Sequence, residues 1–302
     1  MKVLNVSVND YANFSHDNAK ALRSIGVDCV DLKTHKHSFN YPSQSTIANR
    51  NAIITEMIAS DIIQIFHTDT TLLEWAKGLG KKVIMYHTGT RYRRKPEYYN
   101  SVINPYVDLC INALPEFMGL GAKSERYLVG AVDVPPYKEY EITKPYTIAH
   151  YPSCAETKGT KEILEMLEEV DGEFILNHST DLVDYKEQQL RASNCDIYIE
   201  LFKPILKDKP YGSFGISALE AAAQGKVVIT QNINNEPYDN VYGHNVLRTP
   251  TNKNGFLAWT NKLMRTKPSF IKRIQKETWQ WVKDNHSYEA TGTRLKNILD
   301  EL

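Results

Sequence analysis

The chain is 302 residues long, with 42% apolar and 24% charged residues and 36 basic side chains against 36 acidic ones, a length and balance that point to two ordinary domains and exclude disordered or collagen-like architectures. Its apolar runs are a few residues long, far below the ~18 that span a bilayer, and Met1–Asp10 has no apolar signal core. Cys29, Cys110, Cys154 and Cys195 lack C-x-x-C spacing, so the expectation is a cytoplasmic protein with four buried thiols and neither a disulfide framework nor a zinc site.

Short β-branched runs alternate with helical stretches along the whole chain, the pattern of parallel sheets covered by helices. In the first half the predicted strands are Val3–Val8, Val27–Asp31, Ile62–Phe66, Val83–Tyr86, Leu109–Asn112 and Arg126–Val129, with helices beginning near Ser15, Thr46, Thr70 and Pro115. Ser15 to Ile25 is punctuated as a helix: Ser15 as cap, Ala19, Leu22 and Ile25 at helical spacing, Gly26 as stop. A polar, proline-bearing stretch reads as a linker over 135–145, between an N-terminal domain, 1–134, and a C-terminal domain, 146–302. Beyond it, predicted strands Tyr146–Ala149, Glu173–Asn177, Asp196–Ile199 and Lys226–Thr230 interleave with helices Thr160–Val170, Val183–Ala192 and Ile216–Gln224. From Lys253 the chain reads as wholly helical, and these terminal helices can pack back on the N-terminal domain. Residues 1–140 hold 16 basic and 14 acidic side chains and the remainder 20 and 22, so neither half is a polycation and a dedicated nucleic-acid module is disfavoured.

In open parallel sheets, ligands bind beyond the carboxyl ends of the strands. The residues that follow the predicted strands are polar: Asn9 and Asp10, His67, His87, His150, His178 and Glu200. Each alone reads as a loop or cap residue; together they describe a polar rim on both domains, as expected if the rims face each other across a cleft. The most informative segment is 207–230, in which Gly212 and Gly215 precede a small apolar helix whose bare N–H groups suit a phosphate. Glu220 sits inside that apolar run, where it is either a ribose-binding carboxylate or a Glu on a solvated stripe. Lys158, read as the start of helix Thr160–Val170, has the wrong sign for the helix dipole unless an anion is near, and the alternative is a solvated loop lysine. His87 could act as acid/base or as an orienting group, and behind it Arg91, Arg93, Arg94 and Lys95 interleave with Tyr92 as the densest basic cluster, a solvated loop or a site for anions. The chain has no Asp-x-Asp, no G-x-G-x-x-G after the first strand, no P-loop, no G-x-S-x-G and no H-E-x-x-H.

The run His150–Thr160 (HYPSCAETKGT), then Asp196–Glu200 (DIYIE), then Phe214–Ile229 (FGISALEAAAQGKVVI) resembles, in order and spacing, the donor domain of GT-B glycosyltransferases of the large retaining family 4. The first half is similar more loosely, through the strand-His-Thr-Gly segment at His87 and through Tyr127–Asp133. The resemblance implies an α/β GT-B fold of two facing Rossmann-like domains with a cleft between them, a nucleotide-sugar donor held by the second domain, an acceptor on the first, and no cofactor or metal. It assigns His87, Lys158 and Glu220 to catalysis. Lys158 would bind the donor diphosphate, Glu220 the ribose, and the backbone of Gly215, Ile216 and Ser217 the phosphate or sugar, with Ser153 also on the donor side. Asn9, Asp10, His67 and Arg91 fall on the acceptor side. Three features depart from the family. Gly212 stands where a first glutamate is common, no arginine accompanies Lys158 within His150–Thr157, and Asn9–Phe14 replaces a glycine-rich turn.

The expected function is a hexosyltransferase-like enzyme, retaining and metal-independent, moving sugar from a UDP- or GDP-linked donor to a hydroxyl of a glycan or lipid-linked acceptor in the cytoplasm or peripherally at the membrane. The alternatives are a phage-type DNA glucosyltransferase acting on hydroxymethylated bases in a host cytoplasm, motivated by the Arg91–Lys95 cluster, and a non-catalytic sugar-nucleotide binder.

Overall fold

A computed structural model describes residues 1–302, which divide into two units: Met1–Ala131 with Glu236–Val241 and His286–Leu302, and Val132–Asn235 with Tyr242–Asn285. The first unit holds β1 (Lys2–Ser7), α1 (Phe14–Ser24), β2 (Asp28–Lys33), β3 (Thr46–Ile47), α2 (Arg50–Ala59), β4 (Ile62–Ile65), α3 (Leu73–Gly78), β5 (Lys82–His87), α4 (Gly89–Arg94), α5 (Pro96–Ile103), β6 (Leu109–Asn112) and β7 (Arg126–Tyr127). Its seven strands pair in the order β3-β2-β1-β4-β5-β6-β7, all parallel. The inner strands read as apolar runs because helices must cover both faces of such a sheet: Val6, Ile63, Ile65, Val83, Met85 and Cys110 share one core with Ile53, Met57, Leu73, Ala76 and Ile103 from the helices. The order reverses between β1 and β4, and that switch point is where the loops after β1 and β4 open.

The second unit holds β8 (Tyr146–His150), α6 (Ala155–Lys158), α7 (Thr160–Leu167), β9 (Phe174–His178), α8 (Tyr185–Ser193), β10 (Ile197–Ile199), a two-stranded ribbon of β11 (Ile205–Leu206) and β12 (Lys209–Pro210), α9 (Ile216–Ala223) and β13 (Val227–Ile229). Its parallel sheet has the order β13-β10-β8-β9, with the reversal between β8 and β10. Ile148, Ile163, Ile197, Ile199, Val227, Ile229 and Phe256 form its core. The helices that follow are α10 (Glu236–Tyr242), α11 (Lys253–Arg265), α12 (Pro268–His286) and α13 (Tyr288–Asp300).

The last helix, α13, packs on α1 within the first unit. Gly292 permits the approach, since a Cβ there would lie 2.1 Å from the Ala21 carbonyl oxygen. The Tyr288 hydroxyl donates to Asp17 at 2.9 Å and accepts from Lys20 at 2.9 Å.

Several local expectations change. Ser15 does not cap α1 but lies in its first turn. The cap is the Asp10 carboxylate, which accepts from the backbone N–H groups of Ser15 (2.8 Å) and His16 (3.0 Å) across a turn with Ala12 and Asn13 in the left-handed region. Thr46 begins a two-residue strand, and the helix starts at Arg50 behind an Asn49 cap that accepts from Ala52 N at 2.9 Å. At Pro115 only a single 3₁₀ turn forms. Three of the cysteines are buried, but Cys154 is exposed on the loop after β8. No helix is long and apolar enough to cross a membrane.

Candidate active site

In the second unit the switch-point loops meet around one carboxylate. Glu200, directly after β10, is buried. Its Oε2 accepts from the Thr230 hydroxyl at 2.6 Å. Its Oε1 accepts from the Lys158 ammonium and from the Ser217 hydroxyl at 3.2 Å. Gly159 brings these groups together. It has φ 71°, and a Cβ on it would lie 1.9 Å from the Phe202 carbonyl oxygen, so only glycine lets the loop after β10 close on the α6–α7 junction. The Phe202 N–H donates to the Lys158 carbonyl at 3.1 Å across that contact. Gly215, the N-cap of α9, faces the same ion pair, since a Cβ there would stand 3.4 Å from Glu200 Oε1 and 3.9 Å from Lys158 Nζ.

Lys158 is therefore not at the start of a long helix. It ends the short α6, where its charge suits the dipole, and the anion beside it is Glu200. The site thus unites Lys158, Gly215 and Ser217 with Glu200, one of the polar residues that follow the strands, and with Thr230, which no sequence pattern marks. Ile216 opens α9 half-buried, and Ser153 is exposed on the loop before α6.

Glu220 lies further along α9. Burial pushes its carboxyl up to about 7, opposed by hydrogen bonds from Tyr185 and Gln189 of α8. Glu200 and Glu220 both raise the hydroxyl pKa of the buried Tyr198, which burial raises most. His150 serves the scaffold: its ring bridges the Ile199 carbonyl (2.8 Å) and the Thr160 hydroxyl (2.9 Å), and burial holds it neutral with a pKa lowered to about 4.

In the first unit a second polar cluster spans β1, β4 and β5. Asp10 is fully buried, and its Oδ1 lies 3.3 Å from His67 Nε2. His67 Nδ1 lies 2.6 Å from the Thr88 hydroxyl, and the Thr68 hydroxyl lies 3.2 Å from His87 Nδ1. His67 and Thr68 are consecutive non-glycine residues with φ 63° and 57°, strain of the kind that collects at functional loops. His87 stacks on Tyr92 with ring centroids 3.8 Å apart, and burial lowers its pKa to about 3, so the ring is neutral. Its Nε2 is buried without a protein partner, as is Asn9 Oδ1. Arg91 makes no bond to this cluster and is exposed on α4 with Arg94, as is Lys95 just after the helix, while Arg93 donates to Glu116 at 2.8 Å.

No family model and no curated protein matches the sequence. Solved structures do match, over essentially the whole chain. HepE of Anabaena, in complex with UDP and glucose, is 12% identical with a TM-score of 0.69 over 100% of both chains. An α-glucosyltransferase in complex with UDP is 12% identical with a TM-score of 0.70 over 99% of this chain and 100% of that one. Sucrose-phosphate synthase of Thermosynechococcus elongatus is 11% identical with a TM-score of 0.62 over 100% and 99%. The chain has the GT-B fold of these glycosyltransferases.

Proposed function

We propose that the chain is a glycosyltransferase that moves a sugar from a nucleoside diphosphate donor to an acceptor hydroxyl, with retention and without a metal. The observation that carries this reading is the convergence of Lys158 and the Gly215 end of α9 on one point of the second unit. An ammonium beside a glycine-capped helix start is a place where a diphosphate gains charge-assisted hydrogen bonds. Lys158 and the first N–H groups of α9 would take up charge as it grows on the departing diphosphate, the main catalytic contribution open to this site. Glu220 would accept from the ribose hydroxyls.

On the acceptor side, Asp10 holds the His67 ring, and the neutral His87 offers Nε2 as a hydrogen-bonding atom rather than as an acid. The donor would be UDP- or GDP-linked, and a glycan or lipid-linked hydroxyl is the first acceptor class to try. The test is thermal unfolding with UDP-, GDP-, ADP- and dTDP-sugars, where a ligand at 100 times its Kd adds about 2.7 kcal/mol. A panel that leaves the unfolding temperature unmoved would overturn the reading, whereas binding without release of nucleoside diphosphate on any acceptor would favour a sugar-nucleotide binder.

A second reading, transfer to hydroxymethylated bases in DNA, has specific support. The α-glucosyltransferase with this fold has also been solved with UDP and a 13-mer DNA containing an HMU base, at a TM-score of 0.69. The exposed Arg91, Arg94 and Lys95, followed in the chain by the exposed Tyr98, offer cations and an aromatic ring to a phosphate backbone.

A further inference from the structure

Three consecutive residues follow β13, and two of them have visible structural tasks. Thr230 donates to Glu200. Gln231 ties neighbouring loops together, accepting from Lys203 N and donating to the carbonyls of Lys203 (3.1 Å), Tyr211 and Gly212 (3.2 Å). The third, Asn232, has no such task. It is only 2% exposed, yet neither its Oδ1 nor its Nδ2 has a partner. A buried primary amide left with all its hydrogen-bonding capacity unused is costly to keep. Gln64 shares that property but lies mid-strand in β4, away from any loop that could admit a ligand.

Asn232 sits at the edge of the proposed donor site. Its backbone bridges antiparallel to Ser213, and the next residue, Ile233, donates N–H to Gly212 O at 3.3 Å. Gly212 itself can carry no side chain: its φ is 94°, and a Cβ would lie 2.3 Å from Gln231 Nε2. Position 212 therefore offers no side chain, and the orphaned Asn232 amide, across the bridge from Ser213, is a polar group with unused hydrogen-bonding capacity at that point.

We propose that the Asn232 carboxamide binds a hydroxyl of the sugar that is transferred. This inference rests on the donor reading given above. The order of groups along the chain selects the sugar over the rest of the donor. Proceeding from Glu220, assigned to ribose, back to Gly215, assigned to the diphosphate, the chain next reaches Ser213, against which Asn232 is paired. Ribose, diphosphate and sugar follow in that order in a nucleotide sugar. An amide, with one accepting oxygen and two N–H donors, matches adjacent sugar hydroxyls and adds no charge beside a diphosphate.

The test uses the full chain and compares binding of UDP with binding of UDP-glucose by calorimetry, in the unmodified protein and in Asn232→Ala. The expected result is unchanged UDP affinity, a UDP-glucose affinity reduced by about tenfold or more, and an unfolding temperature no lower than that of the parent. Loss of UDP and UDP-glucose affinity in equal measure, with or without a fall in unfolding temperature, overturns the proposal by making the amide a base-binding or scaffold group. Unchanged UDP-glucose affinity overturns it as well. Deoxy-UDP-glucose analogues give a check that needs no variant: at least one must bind the parent about tenfold more weakly than UDP-glucose, and a series with no such member rejects the assignment. If the unmodified protein binds no nucleotide sugar of the wider panel, the donor reading fails and this inference falls with it. Binding of UDP-glucose with no effect of Asn232→Ala rejects this inference alone.

Discussion

Thr230 Oγ1 donates to Glu200 Oε2 at 2.6 Å, so the carboxylate that pairs with Lys158 is also fixed by the residue that follows the neighbouring strand, β13. The proposed donor site thus carries its own anion, and Lys158 is both a candidate diphosphate ligand and the counter-charge of a buried acid.

Removing Lys158 alone should therefore do two things. Lys158→Ala abolishes donor binding and leaves a buried carboxylate without its cation, held only by the Thr230 and Ser217 hydroxyls, a loss of up to about 3–5 kcal/mol when one partner of a buried pair is removed. Lys158→Met combined with Glu200→Gln restores most of that stability without restoring activity. Urea unfolding and turnover measured on both variants check this. If the double variant stays as unstable as the single one, the pair is not the reason for the loss.

Glu220 gives a pH dependence with a worked sign. Its pKa in the folded chain is about 7, above the ordinary value of 4.5, so the stability linked to its proton is fully present below about 4.5 and is lost as pH rises through about 7. Glu220→Gln should accordingly unfold at a higher temperature than the parent at pH 8, with a smaller difference at pH 5. Donor binding should move the other way, rising through pH 7 in the parent as the carboxylate forms and staying weak and flat in the variant. Unfolding scans and calorimetry at the two pH values test both limbs, and a variant less stable than the parent at pH 8 contradicts the first.

The architecture is legible in the sequence where burial on both faces turns strands into apolar runs, as in Ile62–Ile65 and Val83–Tyr86. Lys158, Gly215 and Ser217 are named by a resemblance that rests on order and spacing, and the structure brings them together around Glu200. What escapes depends on groups distant in sequence. The pairing of Glu200 with Lys158 requires the Gly159 backbone to press on Phe202, which no local pattern records. The Asp10 cap reaches α1 through two left-handed residues, so the nearer Ser15 has the look of a cap in the sequence. Lys158 reads as a helix start because the four residues before Gly159 carry no apolar period to mark α6. Asn232 belongs to no motif, and its interest arises only from lacking a partner.

His87 should remain neutral throughout the working pH range. Burial against Tyr92 lowers its pKa from 6.5 to about 3, so the stability linked to it is present above about 6.5 and lost as pH falls towards about 3. Ring-nitrogen NMR should report one neutral form between pH 5 and 8, with no inflection in the pH–rate profile that His87→Asn removes. A ring titrating near 6.5 would make the acid/base role viable again.

Arg91, Arg94 and Lys95 separate the two acceptor classes. With a glycan or lipid-linked acceptor, replacing all three by alanine leaves kcat/KM near the parent value and leaves salt sensitivity unchanged. With duplex DNA, each phosphate no longer neutralised by a cation takes about 0.9 off the steepness of log K against log salt. The triple variant would then bind hydroxymethylated DNA with a slope shallower by up to about 2.7 and bind all sequences more weakly to a similar degree, because cations on the backbone carry no base information. Arg93 is left in place because its bond to Glu116 holds α4 to the turn at Pro115, and removing it would confuse a structural loss with an acceptor effect. A triple variant that loses saccharide transfer yet keeps its salt slope on DNA would overturn that separation.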